Sequence, residues 1–337
     1  MSKHSVPTIG EVARQAGVSI ATVSRVLNGT APVIRETAER VHAAIAELHY
    51  VPRNAARGLA SKRTYTLGLI LPEIGGWFFP SMLRGIEAQA REAGYDLLIH
   101  TVETTYPLKA SRRALGMHNT DGLIVFTNSV GQDELAHLKQ SGFPIVLLHQ
   151  TPPAALDLPV ITIENKSGAQ KLVDHLIEIH NCRRIAFLQG PEGHEDSEWR
   201  ERGYRESLEL HNLPFDESLV AVGEFDETAA AAAIGELLLD GVDFDAVFCG
   251  DDDAAVGVLS ALQSAGRPVP DDVAVVGFDD VPLARFLTPP LTTVRAPTEQ
   301  VGREAVKQLV RLMRGEQADL LTLLPTELVI RKSCGCP

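Results

Sequence analysis

From Tyr65 onward the chain alternates short, continuous apolar runs with amphipathic helical stretches, and this alternation limits the available folds more than any other feature. One series of runs comprises Leu67–Leu71, Asp96–Thr101, Gly122–Phe126 and Ile145–His149; a second comprises Arg184–Leu188, Val220–Val222, Ala246–Cys249 and Val273–Phe278. Strands that are apolar throughout and separated by helices belong in parallel sheets covered on both faces. Two such series predict two doubly wound α/β lobes with a cleft between them. Ligands of these folds bind beyond the carboxyl ends of the strands. The candidates there are Trp77 and Phe78, His149, Arg200, Asp251 with Asp252, and Asp279 with Asp280. Carboxylates accept paired hydroxyls, arginine donates in a fixed fork, and aromatic rings cover apolar faces. The set suits a small polyhydroxylated ligand such as a sugar or nucleoside, although Asp251 or Asp280 taken singly reads as a helix cap or loop acid.

The first sixty residues follow different rules. Thr8 and Glu11 stand at the spacing of a capping box. Ile9, Val12, Ala13 and Ala16 then form one helical stripe, Gly17 suits a sharp turn, and Ser19 is a good N-cap for a second helix. Val23, Val26 and Leu27 are that helix's inward face, while Ile20, Ala21 and Thr22 lie in its first turn. Two short helices around a tight turn, the second offering small side chains at its start, describe a helix-turn-helix that reads the DNA major groove. Ile20 and Ala21 suit thymine methyls, Arg25 reaches guanine or phosphate, and Ser24 and Asn28 reach phosphate. A third helix is expected over roughly Arg35 to His49. An ordinary three-helix subdomain is the plainer reading, but charge argues against it. Residues 1–63 hold nine Lys/Arg and four Asp/Glu, a net +5, whereas the remainder of this −13 chain carries −18. Only the N-terminus is built to face phosphate.

Residues 53–63 are short, basic and alanine-rich, and Gly58 weakens any helix there. Read alone, they form a charged linker with Leu59 packed on the body; the other reading is a helix that folds on DNA with Leu59 wedged into a minor-groove step. Catalysis is not expected. No G-x-G-x-x-G follows the first strand, there is no Walker A motif, and Asp251-Asp252-Asp253 reads as a solvated turn or helix start before it reads as a metal site. Cys182, Cys249, Cys334 and Cys336 do not make a metal framework; Cys334-Gly335-Cys336 could pair or bind metal, but reads as an exposed tail with two reduced thiols. No cofactor or metal is therefore expected. No apolar run spans a bilayer and the polar N-terminus carries no secretory signal, so the expected compartment is the cytoplasm, beside the nucleoid. A solute-binding protein of sugar uptake would need export and would leave the basic N-terminus without a role.

The stretch ATVSRVLNG, the segment from Tyr50-x-Pro52 to Ala60, and the later GFDD and PPLTTV together resemble the lactose/galactose repressor family, from Thr8 to about Ser333. The resemblance implies an all-α helix-turn-helix headpiece (1–52), a hinge helix (53–63) and an effector-binding and dimerisation domain (64–337). The last resembles type I periplasmic sugar-binding proteins, with an N-lobe over about 64–162 and 297–324 and a C-lobe over about 163–296 and 325–334. It further implies a homodimer on a pseudo-palindromic operator, with Ile20 and Ala21 specifying the site, Ala56 in the minor groove and Leu59 intercalating. The DNA-contact set is then Thr8, Ser19, Ile20, Ala21, Thr22, Ser24, Arg25, Asn28, Tyr50, Asn54, Ala56, Arg57 and Leu59. In the pocket, Phe78 and Phe225 become aromatic walls, Arg200 the effector-binding arginine and Asp279 the carboxylate that grips hydroxyls or ring nitrogens; Trp77, His149 and Asp251 complete the set. Four departures from the family pattern stand out: Ile34 in place of a Ser cap, Asp251 in place of Asn, His149-Gln150 in place of Asp-Arg, and Gly75-Gly76-Trp77 in place of Asn-Pro-Phe. The implied function is a transcriptional regulator, in all expectation a repressor, controlled by a sugar or, alternatively, a nucleoside or purine.

Overall fold

The computed structural model describes residues 7–28, 31–50, 63–102, 115–153 and 156–337. They fall into two compact units that part at Tyr65.

The first unit holds helices α1 (Ile9–Ala16), α2 (Ile20–Asn28) and α3 (Arg35–Glu47). Thr8 and Glu11 form a complete capping box, and Gly17 closes α1 in the left-handed region at φ 65°. Ser19 Oγ accepts the Thr22 backbone N–H at 3.1 Å, which fixes the start of α2. Val12, Ala13, Ala16, Val23, Val41 and Ala44 make the core, with Ile9, Val26 and Leu27 packed against it. Tyr50 is buried in the same core. Ile34 gives α3 no side-chain cap, as its apolar side chain requires.

The second unit is built on two parallel sheets. The first contains β1 (Thr66–Leu71), β2 (Asp96–Thr101), β3 (Gly122–Phe126), β4 (Ile145–Leu148), β5 (Val160–Ile163) and β11 (Leu321–Leu324), in the order β11-β5-β4-β3-β1-β2. The second contains β6 (Ile185–Gln189), β7 (Val220–Val222), β8 (Ala246–Cys249) and β9 (Ala274–Val276), in the order β7-β6-β8-β9. A short antiparallel ribbon joins β10 (Thr293–Arg295) to β12 (Glu327–Val329). Helices α4 (Phe79–Glu92), α5 (Gln132–Gln140) and α10 (Thr298–Met313) accompany the first sheet; α6 (Asn165–His180), α7 (Glu195–Leu210), α8 (Glu227–Leu239) and α9 (Asp252–Ser264) pack as the pairs α6/α7 and α8/α9 with the second. Three helix crossings close on a glycine: a Cβ on Gly302 would strike the backbone of α4, one on Gly203 that of α6 and one on Gly257 that of α8.

All eight strands expected from the sequence are present; those at Asp96–Thr101, Gly122–Phe126, Val220–Val222 and Ala246–Cys249 keep their expected ends, and the other four are shifted. The strand placed at Val273–Phe278 is regular only from Ala274 to Val276, and the one placed at Ile145–His149 stops at Leu148 because His149 turns out at φ 56°. Strands β5, β10, β11 and β12 were not anticipated. Coverage on both faces also fails at the edge: β2 is exposed at Asp96, Leu98, Ile99 and Thr101, residues of both its faces. A larger correction concerns the C-terminus. The expected exposed tail is folded down: Cys334 is 2% exposed, and Ser333 bonds to both Thr292 and Val275.

Candidate functional site

The sequence placed two sites, one in each unit. In the first unit Ser19, Ile20, Ala21 and Arg25 are exposed on α2 while Val23 is fully buried. Ile20 is 53% exposed, a large apolar side chain left at the head of a helix with nothing to bury it. Thr22 and Ser24 are half-buried, and Thr22 Oγ1 lies 2.9 Å from Ser19 Oγ. Thr8 is exposed, but both its hydroxyl and its N–H donate to Glu11. Tyr50 serves the core. Asn54, Ala56, Arg57 and Leu59 lie outside the described residues, as does the side chain of Asn28.

In the second unit the strand ends bring most of the expected pocket residues together. Arg200, on α7, is buried and its guanidinium is engaged on every side: Nε donates to Asn165 Oδ1 (2.9 Å), Nη1 to the Gly250 carbonyl (2.6 Å) and Nη2 to Asp279 Oδ1 (3.2 Å). The Phe278 ring lies 3.9 Å below it. Asp279 leaves β9 at φ 104°, a conformation rare for any side chain but glycine, and this turns its carboxylate to Arg200. His149 is buried with Nδ1 2.7 Å from Asp196 Oδ2, and its ring packs edge-on to Phe78 at 5.8 Å. Phe225, also at positive φ, is held in a slot floored by Gly190, where any Cβ would run into its ring. Trp77 is half-exposed, and together with Phe78 and Asp279 it lines an open pocket of ≈ 410 Å³.

The three consecutive acids have separate tasks. Asp251 Oδ1 caps α9 by accepting the Ala254 N–H at 2.8 Å. Asp252 accepts from Thr293 Oγ1 (2.6 Å) and the Val281 N–H (2.8 Å), which anchors the β10 segment. Asp253 reaches the loop after β1 and accepts the Trp77 N–H at 3.3 Å. Two further contacts join the same two sheets' loops: Asn128 Nδ2 donates to the Gly193 carbonyl at 3.2 Å, and Thr151 Oγ1 to Glu195 at 2.5 Å.

Electrostatics follow from this burial. Burial pushes the Asp251, Asp252 and Asp279 carboxyls up, and Asp279 is drawn back by Arg200. Burial raises Asp253 to about 6. Burial acts on Asp196 too, but the His149 imidazole and the Arg200 guanidinium outweigh it and hold this carboxyl well below its usual range. Burial lowers His194 to about 4.

Sequence reasoning missed four cleft residues: Asn165, Asp196, Phe126 and His194. His194 sits 5.1 Å from Phe225 and 6.4 Å from Phe126, between rings of the two sheets. Asp196 was findable, since it stands four residues before Arg200 on one helix face; nothing local marks the others. Among the described residues, the buried side-chain polar atoms with no aligned hydrogen-bond partner are His149 Nδ1 and Nε2, Gln150 Nε2, His194 Nδ1 and Asp253 Oδ1. All stand at this cleft, walled by Phe78, Phe126 and Phe225. Buried polar atoms are ordinarily paired, so this set of donors and acceptors between aromatic faces has hydrogen-bonding capacity to offer a ligand.

Comparison with known proteins finds relatives for both units. Residues 8–53 match the model of bacterial regulatory proteins of the lacI family, and residues 173–334 that of a periplasmic binding protein-like domain. The transcriptional regulator CelR of Thermobifida fusca is 34% identical over 99% of this chain and all of its own length. The ribose operon repressor of Halalkalibacterium halodurans is 33% identical over 97% of this chain and 96% of its own. The lac repressor dimer solved with operator and the anti-inducer ONPF superposes with a TM-score of 0.84 at 26% identity, covering 98% of this chain and 99% of that one. Helix-turn-helix, doubly wound body and full-length relatives converge: this chain is a ligand-controlled, DNA-binding transcriptional regulator and belongs to the LacI family.

Proposed function

We propose that the protein is a repressor that binds a pseudo-palindromic operator as a homodimer and is switched by a sugar or sugar derivative in the cleft between its two sheets. Regulation of transcription, not turnover, is its activity, and its DNA target places it beside the chromosome. The observation that carries the ligand class is the group of unpartnered buried atoms, His149 Nε2, Gln150 Nε2, His194 Nδ1 and Asp253 Oδ1, between aromatic walls. A pyranose offers hydroxyls to such atoms and apolar faces to Phe78 and Phe225. Of the relatives, CelR has been solved with cellobiose.

In this mechanism the exposed Ile20 and Ala21 read base edges, Arg25 reads a base or phosphate, and residues 53–63 act as a hinge with Ala56 and Leu59 in the minor groove. Ligand redistributes the contacts that join the two sheets' loops, Trp77 to Asp253, Asn128 to Gly193 and Thr151 to Glu195. Couplings between such sites are typically about 1–3 kcal/mol, or about 5–150-fold in operator affinity. The test is a thermal-shift screen of sugars, sugar acids, sugar phosphates and nucleosides, followed by operator binding with each hit. A neutral sugar that raises the melting temperature, changes operator affinity and loses both effects in Asp279→Asn is the expected result. A response confined to nucleosides would replace the sugar assignment, and no response from any class would remove the effector role of the cleft.

A further inference from the structure

Far from the cleft, at the other end of α6, four side chains converge that no regulatory role accounts for: His175, His180, Cys334 and Cys336. Their nitrogen and sulfur ligand atoms all lie within 4.8 Å of one another. The two Nε2 atoms are 3.2 Å apart, and Cys336 Sγ lies 3.4 Å from His180 Nε2 and 3.7 Å from His175 Nε2. A tetrahedral ion with nitrogen at about 2.0–2.1 Å and sulfur at about 2.3 Å has N–N edges of about 3.3 Å and N–S edges of about 3.6 Å. The three edges among His175, His180 and Cys336 already have these lengths, and Cys334 Sγ lies within 4.8 Å of all three ligand atoms.

We propose that His175, His180, Cys334 and Cys336 form a structural site for a soft divalent cation, zinc before others, that clamps the C-terminal segment onto the end of α6. The sequence pattern fits: His175-x4-His180 has a usual zinc-ligand spacing, and Cys334-x-Cys336 brings two thiolates to one point. The tight spacing is possible because the residue between them is glycine. Gly335 adopts φ 103°, and a Cβ there would press within 3.1 Å of His180 Nδ1. The tail is pinned just before the ligands, where Ser333 Oγ donates to the Val275 carbonyl at 2.5 Å and accepts the Thr292 N–H at 2.8 Å. Thr292 Oγ1 donates to Cys334 Sγ at 3.1 Å, the kind of outer hydrogen bond that orients a thiolate ligand. The cation supplies what these groups lack as a hydrogen-bonded set, one partner shared by four converging lone pairs, and it displaces the two thiol protons to solvent.

The test uses the full-length protein, purified under reducing conditions and stripped of metal. Titration with cobalt(II) is expected to give the intense visible bands of a tetrahedral site and thiolate-to-cobalt charge transfer, saturating at one equivalent per chain and bleached by zinc. Cys336→Ser and His175→Gln each remove the signal, while Cys182→Ser, at a buried cysteine outside the four, retains it. Zinc raises the melting temperature of the wild-type protein and not of Cys336→Ser. A wild-type spectrum without tetrahedral bands, a signal that survives both ligand variants, or a Cys334–Cys336 disulfide that persists under those conditions would each overturn the site. The cobalt spectrum of the wild type decides the question even if a variant folds poorly.

Discussion

The DNA-reading face and the ligand cleft belong to one chain but hold their functional side chains in opposite ways. On α2 the residues assigned to bases are exposed: Ile20, Ala21 and Arg25 contribute almost nothing to the core that Val12, Val23 and Val41 make beneath them. In the cleft the assigned polar residues His149, Arg200, Asp251 and Asp279 are part of the interior. Arg200 is hydrogen-bonded to Asn165, Gly250 and Asp279, and Asp196 lies against His149. Function and stability are therefore separable in the first unit and fused in the second. Natural variation can change the operator at little cost to folding, whereas any change of ligand must rebuild a buried network.

The largest test of that contrast pairs two arginines. Arg200→Ala strands the buried Asp279 and leaves Asp196 with His149 and Asn165, and removing one partner of a buried ion pair costs about 3–5 kcal/mol. Denaturant unfolding is expected to show that loss together with a lost ligand response. Arg25→Ala, on an exposed position, is expected to weaken operator binding and leave the unfolding midpoint where it was. If Arg200→Ala kept wild-type stability, the cleft network would be decoration and the contrast would fail.

A smaller effect is expected at Ile20. Replacing it with Asn exchanges a thymine-methyl contact for an amide that prefers adenine, and each changed base contact is worth about 1–3 kcal/mol of discrimination. Operator selection from a randomised library is expected to shift at one symmetric pair of positions, with melting unchanged.

The same contrast explains what could be read from the sequence. Capping, turn and stripe signals act within a few residues, so Thr8, Glu11, Gly17, Ser19 and the inward stripe of the first unit were all legible. So were eight of the strands and the doubly wound class, because apolar runs between helices have one economical packing. What escaped is set by distance along the chain. His194 matters only because its loop meets Phe126 of the other sheet. Cys334 and Cys336 read as a loose tail because His175 and His180 lie 161 and 156 residues before Cys336. The strands β10 and β12 are three residues each, and they pair antiparallel with each other outside both parallel series. The Asp251–Asp253 run looked like one feature, and only the fold divides it into a cap, an anchor and a contact between loops.

Ser19→Ala sharpens the comparison from the other side. It removes the hydroxyl that accepts the Thr22 N–H, and loss of an N-cap costs about 1 kcal/mol. Because the first unit is compact by itself, amide exchange in α2 is expected to accelerate while exchange in the second unit does not change.

The smallest effect is a pH dependence. Asp253 has its carboxyl raised to about 6, against 3.8 for a free side chain, chiefly by burial. Between those values the folded protein holds a proton that the unfolded chain has released. Its contribution to stability is therefore complete below about 4 and is lost as the pH rises through about 6. Asp279, Asp251 and Asp252, also raised by burial, act in the same direction, while Asp196, held low, acts in the opposite one. Asp253→Asn keeps an acceptor for the Trp77 N–H and removes the titration. The expected result is a flatter melting-temperature profile between pH 4 and 6, with the variant gaining on the wild type as the pH approaches neutrality. The first unit has no buried aspartate among its described residues and supplies no counterpart, so Arg25→Ala is expected to follow the wild-type pH profile throughout. A profile unchanged by Asp253→Asn would mean that this carboxylate is solvated in the working protein and that the contact between the two loops is open.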